Sequence, residues 1–412
     1  MKIWIVNPYG TLPSEGWREY RSFLLAKALA KRGHEVTCWI SDFEHRSKSY
    51  RTSGELHDPL LPEGVRVIAV HASAYRRNIS LNRIFYEINF GKNWALAAEN
   101  QSTPDVIVLG DPALFFGSPV AKYAKCHEKK LVLDVIDLWP ELFTVALPKF
   151  LQPLGNVIFH PMFRKRNKLA NSCNALVAVS QDYLNVINRS VQSKLPSMVA
   201  YLGIDVYQQR SQPINVSLSE KLISFKNSFS MLVVYAGTLG DAYDMNLLLE
   251  AVRRTSKQGL SIGFVVAGDG PRKMDLIAAA NQYSTNLLFL GQLPSEDLTT
   301  LYAAADVGLM TYVPGSTVAM PVKFFDYLAG GLAIISSLRR DVAECIEKYK
   351  VGMTYKAANV DDLMNRLVFL ERHPLELAKI KTNSHSLADA YDSALQYEKY
   401  SDFLERLVLH HD

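Results

Sequence analysis

The sequence predicts an α/β protein made of two tandem, doubly wound domains, each an open parallel sheet with helices on both faces. Three observations carry this. Short β-branched runs alternate with segments of helical period along nearly the whole chain. The runs are followed by polar, Gly or Pro punctuation, as strands buried on both faces should be. The length, 412 residues, suits two such domains.

In the first half, residues 2–7 (KIWIVN) read as a buried strand, followed by a polar Gly/Pro loop over 8–16. A helix over 18–31, starting near Trp17, would put Phe23, Leu24, Ala26, Ala28 and Leu29 on overlapping faces, with Gly33 closing it. Residues 35–40, 65–71, 105–109, 130–135 and 175–179 read as further strands, with a helix over 118–127. A stretch rich in Ser, Gln, Asn and Lys, 202–230, marks a composition break within which the linker is expected. The second series has strands at 231–235, 262–267, 287–290, 306–310 and 333–336. Helices are expected at 244–258, 272–283, 295–305, 360–372 and 387–408. Ligands of such sheets bind beyond the carboxyl ends of the strands, so two facing sheets would hold the reactive cleft between them.

Composition narrows the function. At 48% apolar, 10% aromatic and 21% charged, the chain is an ordinary globular protein, not disordered, collagenous or coiled coil. The N-terminal apolar run is too short for a signal peptide, and no run of 18 uncharged apolar residues exists to span a membrane. Cys38, Cys126, Cys173 and Cys345 form no C-x-x-C pair, which points to a reducing compartment and away from zinc. The ten histidines form no H-E-x-x-H cluster, so no metal site is inferred. Residues 1–200 hold 25 Lys and Arg against 17 Asp and Glu, a balance of +8; the remainder holds 20 against 24, a balance of −4. The basic half is therefore expected to face something anionic.

Several loops carry chemistry. Gly16 stands before the first helix, where a ligand could approach the backbone and a helix N-terminus attracts phosphate. Gly237 and Thr238, in AGTLGD, and Gly268 and Gly270, in GDGP, follow two successive strands. Neither loop is a P-loop, and no G-x-G-x-x-G occurs, which disfavours NAD chemistry. The most informative stretch is 316–331, STVAMPVKFFDYLAGG. Pro321 is placed to open a helix. Lys323 in the first turn opposes the helix dipole, which an anion held there would explain. Asp326 lies on the same face, where it could accept two sugar hydroxyls while Lys323 holds a diphosphate; the ordinary alternative is a surface ion pair. In the first half, Asp137 ends a strand in LDVIDLWPE and could act as a base or orient a sugar hydroxyl; the alternative is a helix cap. His34 reads as a structural junction, and Ser180 lies in no G-x-S-x-G elbow.

On these residues the chain resembles the retaining, family 4 glycosyltransferases of the GT-B fold, in a branch that builds bacterial surface polysaccharides. The resemblance runs nearly the whole length: RGHEVT, ALVAVS, YLGID, GTLG, VVAGDGP, FLGQLP and MPVKFFDYLAGG stand in the family's order, and GTLGDAYD and DLWPE suggest the branch. Where the family usually has two glutamates eight apart, this chain has Val318 and Asp326. Thr238 and Tyr243 stand at its phosphate-binding Arg and Lys, and Ile136-Asp137 at its His-Asp.

The resemblance implies transfer of a hexose, with retention, from a nucleotide diphosphate sugar to an acceptor hydroxyl, without a metal or resident cofactor. UDP-sugar is preferred to GDP-sugar. Residues 203–386 would be the donor domain, with Gly237, Thr238, Gly268, Gly270, Leu293, Met320, Pro321, Lys323 and Asp326 binding the donor and Gly16 of the first half joining them. Residues 1–202, with 387–412 crossing back, would be the acceptor domain, with Asp137 catalytic. The expected acceptor is a polyprenyl-linked glycan at the cytoplasmic face of the plasma membrane. Arg76, Arg77, Arg164, Lys165, Arg166 and Lys168, set among apolar residues, would meet that anionic surface or the acceptor. No RNA-binding context accompanies these basic residues. A non-catalytic sugar-nucleotide-binding partner is the alternative; an epimerase would need acidic and His residues that no motif supplies.

Overall fold

The computed structural model describes residues 1–16, 21–78, 80–148, 150–283 and 285–409. The expected start of the first helix, at Trp17 and Arg18, lies outside them; the helix is described over Arg21–Lys31. The chain forms two compact units, Met1–Leu202 with Ala394–Asp412, and Gly203–Ser393.

The first unit is built on an eight-stranded sheet. Its spatial order is Ser197–Val199, Ala175–Ala178, Lys130–Val135, Val106–Asp111, Lys2–Val6, Glu35–Ser41, Val65–Val70 and Gly54–Leu56. All pairings are parallel except the last, at the Gly54–Leu56 edge. Side chains alternate across this sheet as strand geometry requires. Ile3 and Ile5 enter one core with Leu25, Val36, Val132, Tyr400 and Leu404. Trp4, between them, points to the other face, where its ring lies 5.0 Å from Trp39, 6.1 Å from Trp94 and 5.4 Å from Tyr123.

The second unit has a six-stranded parallel sheet, ordered Leu287–Gly291, Ile262–Ala267, Met231–Ala236, Val307–Met310, Ala333–Ser336 and Gly352–Thr354. In chain order this is 3-2-1-4-5-6, the doubly wound arrangement that binds ligands where the strand order reverses. The reversal falls between Met231–Ala236 and Val307–Met310.

The first unit's long segment ends at Leu202, inside the stretch expected to hold the linker, and that stretch carries the helices Val206–Ser211 and Val216–Lys226, whose polar composition reflects faces left to solvent. Two expectations need correction. The final helix of the reading is two helices, Pro374–Ala388 and Ser393–Leu409, separated by the 3-10 turn Asp389–Tyr391. The return to the first unit begins at Ala394 and not at 387, because Pro374–Ala388 packs on the Val322–Ala329 helix and the Ala333–Ser336 strand.

The returning helix is tied by charge as well as by apolar burial. Arg21, buried, donates through Nε to both carboxylate oxygens of Asp134 at 2.8 and 2.7 Å, and its guanidinium lies 5.4 Å from the Tyr400 ring centroid. His34 Nε2 meets Glu405 Oε1 at 2.7 Å, which gives the Gly-His-Glu-Val junction its structural role.

Candidate functional site

The reversal point of the second sheet gathers the Gly loops. Gly237 donates to the Ala267 carbonyl at 3.0 Å, Gly268 to Gly291 at 2.7 Å, and Leu239 to the Asp269 carbonyl at 2.9 Å. Three consecutive strand ends are thus clasped backbone to backbone. Gly268 has φ +154°, and a Cβ there would overlap the Gly237 carbonyl oxygen, so only glycine lets the first two loops close on each other. The Tyr235 hydroxyl donates to the Thr238 carbonyl at 2.7 Å, bracing the first loop, and the Ala236 N–H donates to the Tyr327 hydroxyl at 3.1 Å.

Into this frame runs the Val322–Ala329 helix. Pro321 caps it from outside, at φ −76° and ψ 151°, one residue earlier than the sequence suggests. The Phe324 N–H donates to the Pro321 carbonyl at 3.0 Å, the N–H groups of Val322 and Lys323 precede the helix ladder, and no acidic residue occupies that turn. Lys323 is buried, and its Nζ makes no hydrogen bond among the described residues. The ammonium lies 4.2 Å from the Tyr235 ring centroid, 4.3 Å from Tyr243 and 5.6 Å from Tyr312. It also touches the first Gly loop: a Cβ on Gly237, which has φ +140°, would stand 3.1 Å from Nζ. Burial pushes Lys323 down to about 7, with Asp326 opposing. Lys323 and Asp326 are therefore not a solvated surface pair; both are buried.

Met320 is buried just before the helix, and Leu293 is half-buried in the loop after Leu287–Gly291. Gly237 and Thr238 are exposed, with Gly268 and Gly270 beside them in the second loop. Sequence reasoning missed the tyrosine cage. Its one signal was Tyr243, read as the loss of a cation; in the structure its ring is instead a wall for Lys323.

In the first unit, Gly16 is exposed and ends the 3-10 turn Pro13–Glu15. Asp137 follows the Lys130–Val135 strand. It keeps a solvent-facing side, yet the surrounding protein pushes its carboxyl up to about 6, with Arg83 opposing. The Arg83 guanidinium lies 4.5 Å from the Trp139 ring centroid and 5.0 Å from Tyr9, whose hydroxyl accepts from Arg83 Nε at 3.2 Å and donates to Glu87 Oε1 at 2.6 Å. Burial pushes Glu87 and Asp111 each up to about 7. Tyr9, Arg83 and Glu87 were not singled out as a set in the sequence, because only the fold brings residues 9, 83 and 87 to Trp139.

The basic residues separate. Arg76, Arg77, Arg164 and Lys168 are exposed, and Lys165 is half-buried with Nζ 4.6 Å from the Phe115 ring centroid. Arg166 is not a surface group: it is buried, donating to the Trp139 carbonyl at 3.1 Å and Glu141 Oε2 at 2.6 Å. In the preceding stretch of sequence several apolar side chains are open to solvent, Phe150 at 78% and Val157 at 73% among them. Among the described residues no helix is long and apolar enough to cross a membrane.

The architecture is GT-B, two Rossmann-like α/β units. Solved structures of this fold cover the chain end to end. Sucrose-phosphate synthase from Thermosynechococcus elongatus is 13% identical with a TM-score of 0.76, covering 100% of both chains. Anabaena HepE in complex with UDP is 15% identical with a TM-score of 0.71, covering 98% of this chain and 100% of its own. Residues 230–373 match the profile of a family described as "Glycosyl transferases group 1". The Escherichia coli (strain K12) protein named "Putative colanic acid biosynthesis glycosyltransferase WcaL" is 23% identical over 188 residues, 44% of this chain and 44% of that protein. The matched stretch thus spans less than half the length of the curated relatives.

Proposed function

We propose that the chain is a glycosyltransferase that moves a hexose, with retention, from a UDP-sugar to a polyprenyl-linked oligosaccharide in the synthesis of a bacterial surface polysaccharide. The observation that carries the reading is Lys323: a buried cation with no hydrogen-bond acceptor among the described residues, at a helix N-terminus and against the first Gly loop, at the sheet's reversal point. A buried ammonium without a hydrogen-bonded counter-charge is costly, and a diphosphate would supply one. As the sugar bond breaks, negative charge grows on the departing nucleotide, and preset donors stabilise it. Lys323 and the free N–H groups of the Val322–Ala329 helix fill that role. Asp326 accepts the ribose hydroxyls, while Gly237, Thr238, Gly268, Gly270, Leu293 and Met320 form the surrounding wall. In the first unit, Asp137 orients the acceptor hydroxyl or takes its proton, a task suited to a carboxyl near 6.

Similar proteins support the donor and the pathway class. HepE is described in complex with UDP and with UDP-glucose, and WaaG as a glycosyltransferase involved in lipopolysaccharide biosynthesis. The exposed apolar and basic side chains near Phe150, Val157, Arg164 and Lys168 favour peripheral contact with the anionic cytoplasmic face of the plasma membrane.

Val318, Thr238 and Tyr243, uncharged where the resembled family carries charge, favour a second reading, a sugar-nucleotide-binding partner without turnover. Incubation with UDP-sugars, with and without a prenyl-linked acceptor, separates the two. Release of UDP with sugar transfer supports the transferase; binding without release supports the partner; no nucleotide binding sinks both.

A further inference from the structure

We propose that a recess in the first unit, at the amino end of the Leu81–Ala98 helix, binds the diphosphate of a lipid-linked amphiphile. Identifying that amphiphile with the acceptor rests on the transferase reading; the recess itself does not. Its volume is about 580 Å³, within the range of small-molecule sites, and its lining includes Phe43, Lys48, Tyr75, Arg76, Arg77 and Ser80. Three of these residues are cations and none of the lining residues is a carboxylate.

The positive charge is held in place. Lys48 sits in the turn joining the two-residue strands Phe43–Glu44 and Ser49–Tyr50, at φ +58°, a conformation costly for a residue with a Cβ. Its ammonium is directed over the Tyr75 ring, 4.2 Å from the centroid, and donates to Asn78 Oδ1 at 2.9 Å. Ser80 caps the Leu81–Ala98 helix, whose first turn carries no acidic residue, so its dipole adds to the same field. Glu44 is close, but its carboxylate is taken up by the backbone N–H groups of Arg46 and Ser47. His45, which is bonded to the Tyr75 hydroxyl, is pushed down to about 4 by burial and by Lys48 and Arg83, and Lys48 is itself lowered by burial and Arg83. Glu44 opposes both shifts without cancelling either, so the cations outweigh it at Lys48 and His45.

An apolar feature adjoins it. Leu81 and Phe85, one turn apart on the helix that Ser80 opens, are 72% and 61% exposed. Bare inorganic phosphate would use the cations and leave these side chains in water. A diphosphate carrying a hydrocarbon chain would use both, which is why the observations favour an amphiphile.

The test measures binding of farnesyl diphosphate to the full chain, with UDP at saturation to occupy the second unit. The expected result is binding that falls at least tenfold in the R76S/R77S variant and in L81S/F85S, with UDP affinity unchanged in both. Inorganic pyrophosphate should bind more weakly than farnesyl diphosphate, and L81S/F85S should not alter it. Farnesyl diphosphate affinity equal to wild type in R76S/R77S overturns the proposal. So does binding of phosphatidylglycerol vesicles, but not farnesyl diphosphate, that is lost in R76S/R77S, since the cations would then serve a headgroup surface. Farnesyl diphosphate binding in a protein that fails to bind UDP keeps the site and removes the transferase reading.

Discussion

Raising the pH should weaken UDP-glucose binding, and Lys323 should be the cause. In the free protein its pKa is about 7, so the ammonium is near half occupancy at neutral pH. The diphosphate binds the charged form, and binding therefore takes up a proton wherever the pH lies between the free and the bound pKa. Above pH 7 the free protein must first be protonated, at a cost of about 1.4 kcal/mol, tenfold in affinity, per pH unit. From about pH 6.5 to about pH 8.5 the loss comes to about 25-fold, about 2 kcal/mol, provided the bound ammonium titrates well above that window. UDP-glucose is the right probe because its phosphates are esterified on both sides, whereas the terminal phosphate of UDP has a second pKa of about 6 that would blur the profile. Calorimetry in buffers of different ionisation heat reads both the affinity and the proton taken up. Lys323→Met, close in volume, should abolish the slope and bind weakly throughout. The same residue leaves a signature on folding. Its pKa falls from 10.5 to about 7 on burial, so between these values the unfolded chain binds more protons and stability rises with pH. The Met variant should be more stable than wild type at neutral pH without ligand. A pH-independent affinity in wild type, or a Met variant that keeps both slope and affinity, refutes the assignment.

Other expectations follow from the same geometry. Asp326→Asn should weaken UDP binding by about 1.5–3 kcal/mol if charge-assisted bonds to the ribose are lost, with ribose-free inorganic pyrophosphate unaffected; calorimetry on the folded variant checks this. Gly268→Ala should cost about 3 kcal/mol in chemical denaturation, because its Cβ would overlap the Gly237 carbonyl and force the clasped loops apart. Replacing Phe150 and Val157 by Ser, together with Arg164 and Lys168, should cut sedimentation with anionic vesicles by more than tenfold, each lost cation counting about 1 kcal/mol. Unchanged sedimentation would remove this surface from the membrane reading. Arg166→Ala belongs to a different experiment: it strips Glu141 and the Trp139 carbonyl of their partner and should lower the melting temperature.

The central strands were legible because strands buried on both faces must be continuously apolar, and residues 130–135, 262–267 and 333–336 are strands with those bounds. Edge strands gave no such signal. Gly54–Leu56, Ser197–Val199 and Gly352–Thr354 are three residues each and none is fully buried, so nothing forces a pattern on them. The Leu81–Ala98 helix was hidden by its aromatic and β-branched content and an internal glycine, which local propensity disfavours and burial of Tyr86, Phe90 and Trp94 overrides. At the site, Pro321, Lys323 and Asp326 stood out because their order along one helix is itself the signal. The cage did not: Tyr235 lies in one strand, Tyr243 follows it and Tyr312 follows a second, and the two strands become neighbours only when the sheet reverses order. For Arg166 the composition misled, because a cation in a run of cations looks solvated until a buried carbonyl and carboxylate claim it.

The Ser393–Leu409 helix gives the chain an unusual assembly order. Tyr397, Tyr400 and Leu404 belong to a core whose other members lie within the first 200 residues, and the whole second unit is made between them. During synthesis the first sheet must therefore wait, with the Ala26 and Leu29 face of its first helix uncovered, until about 190 intervening residues have emerged and had time to fold. The second unit, contiguous in sequence, has no such dependence and can mature first. A nascent chain halted before Ser393 would hold a finished second unit and an open, aggregation-prone first one, the reverse of the usual N-terminal-first sequence.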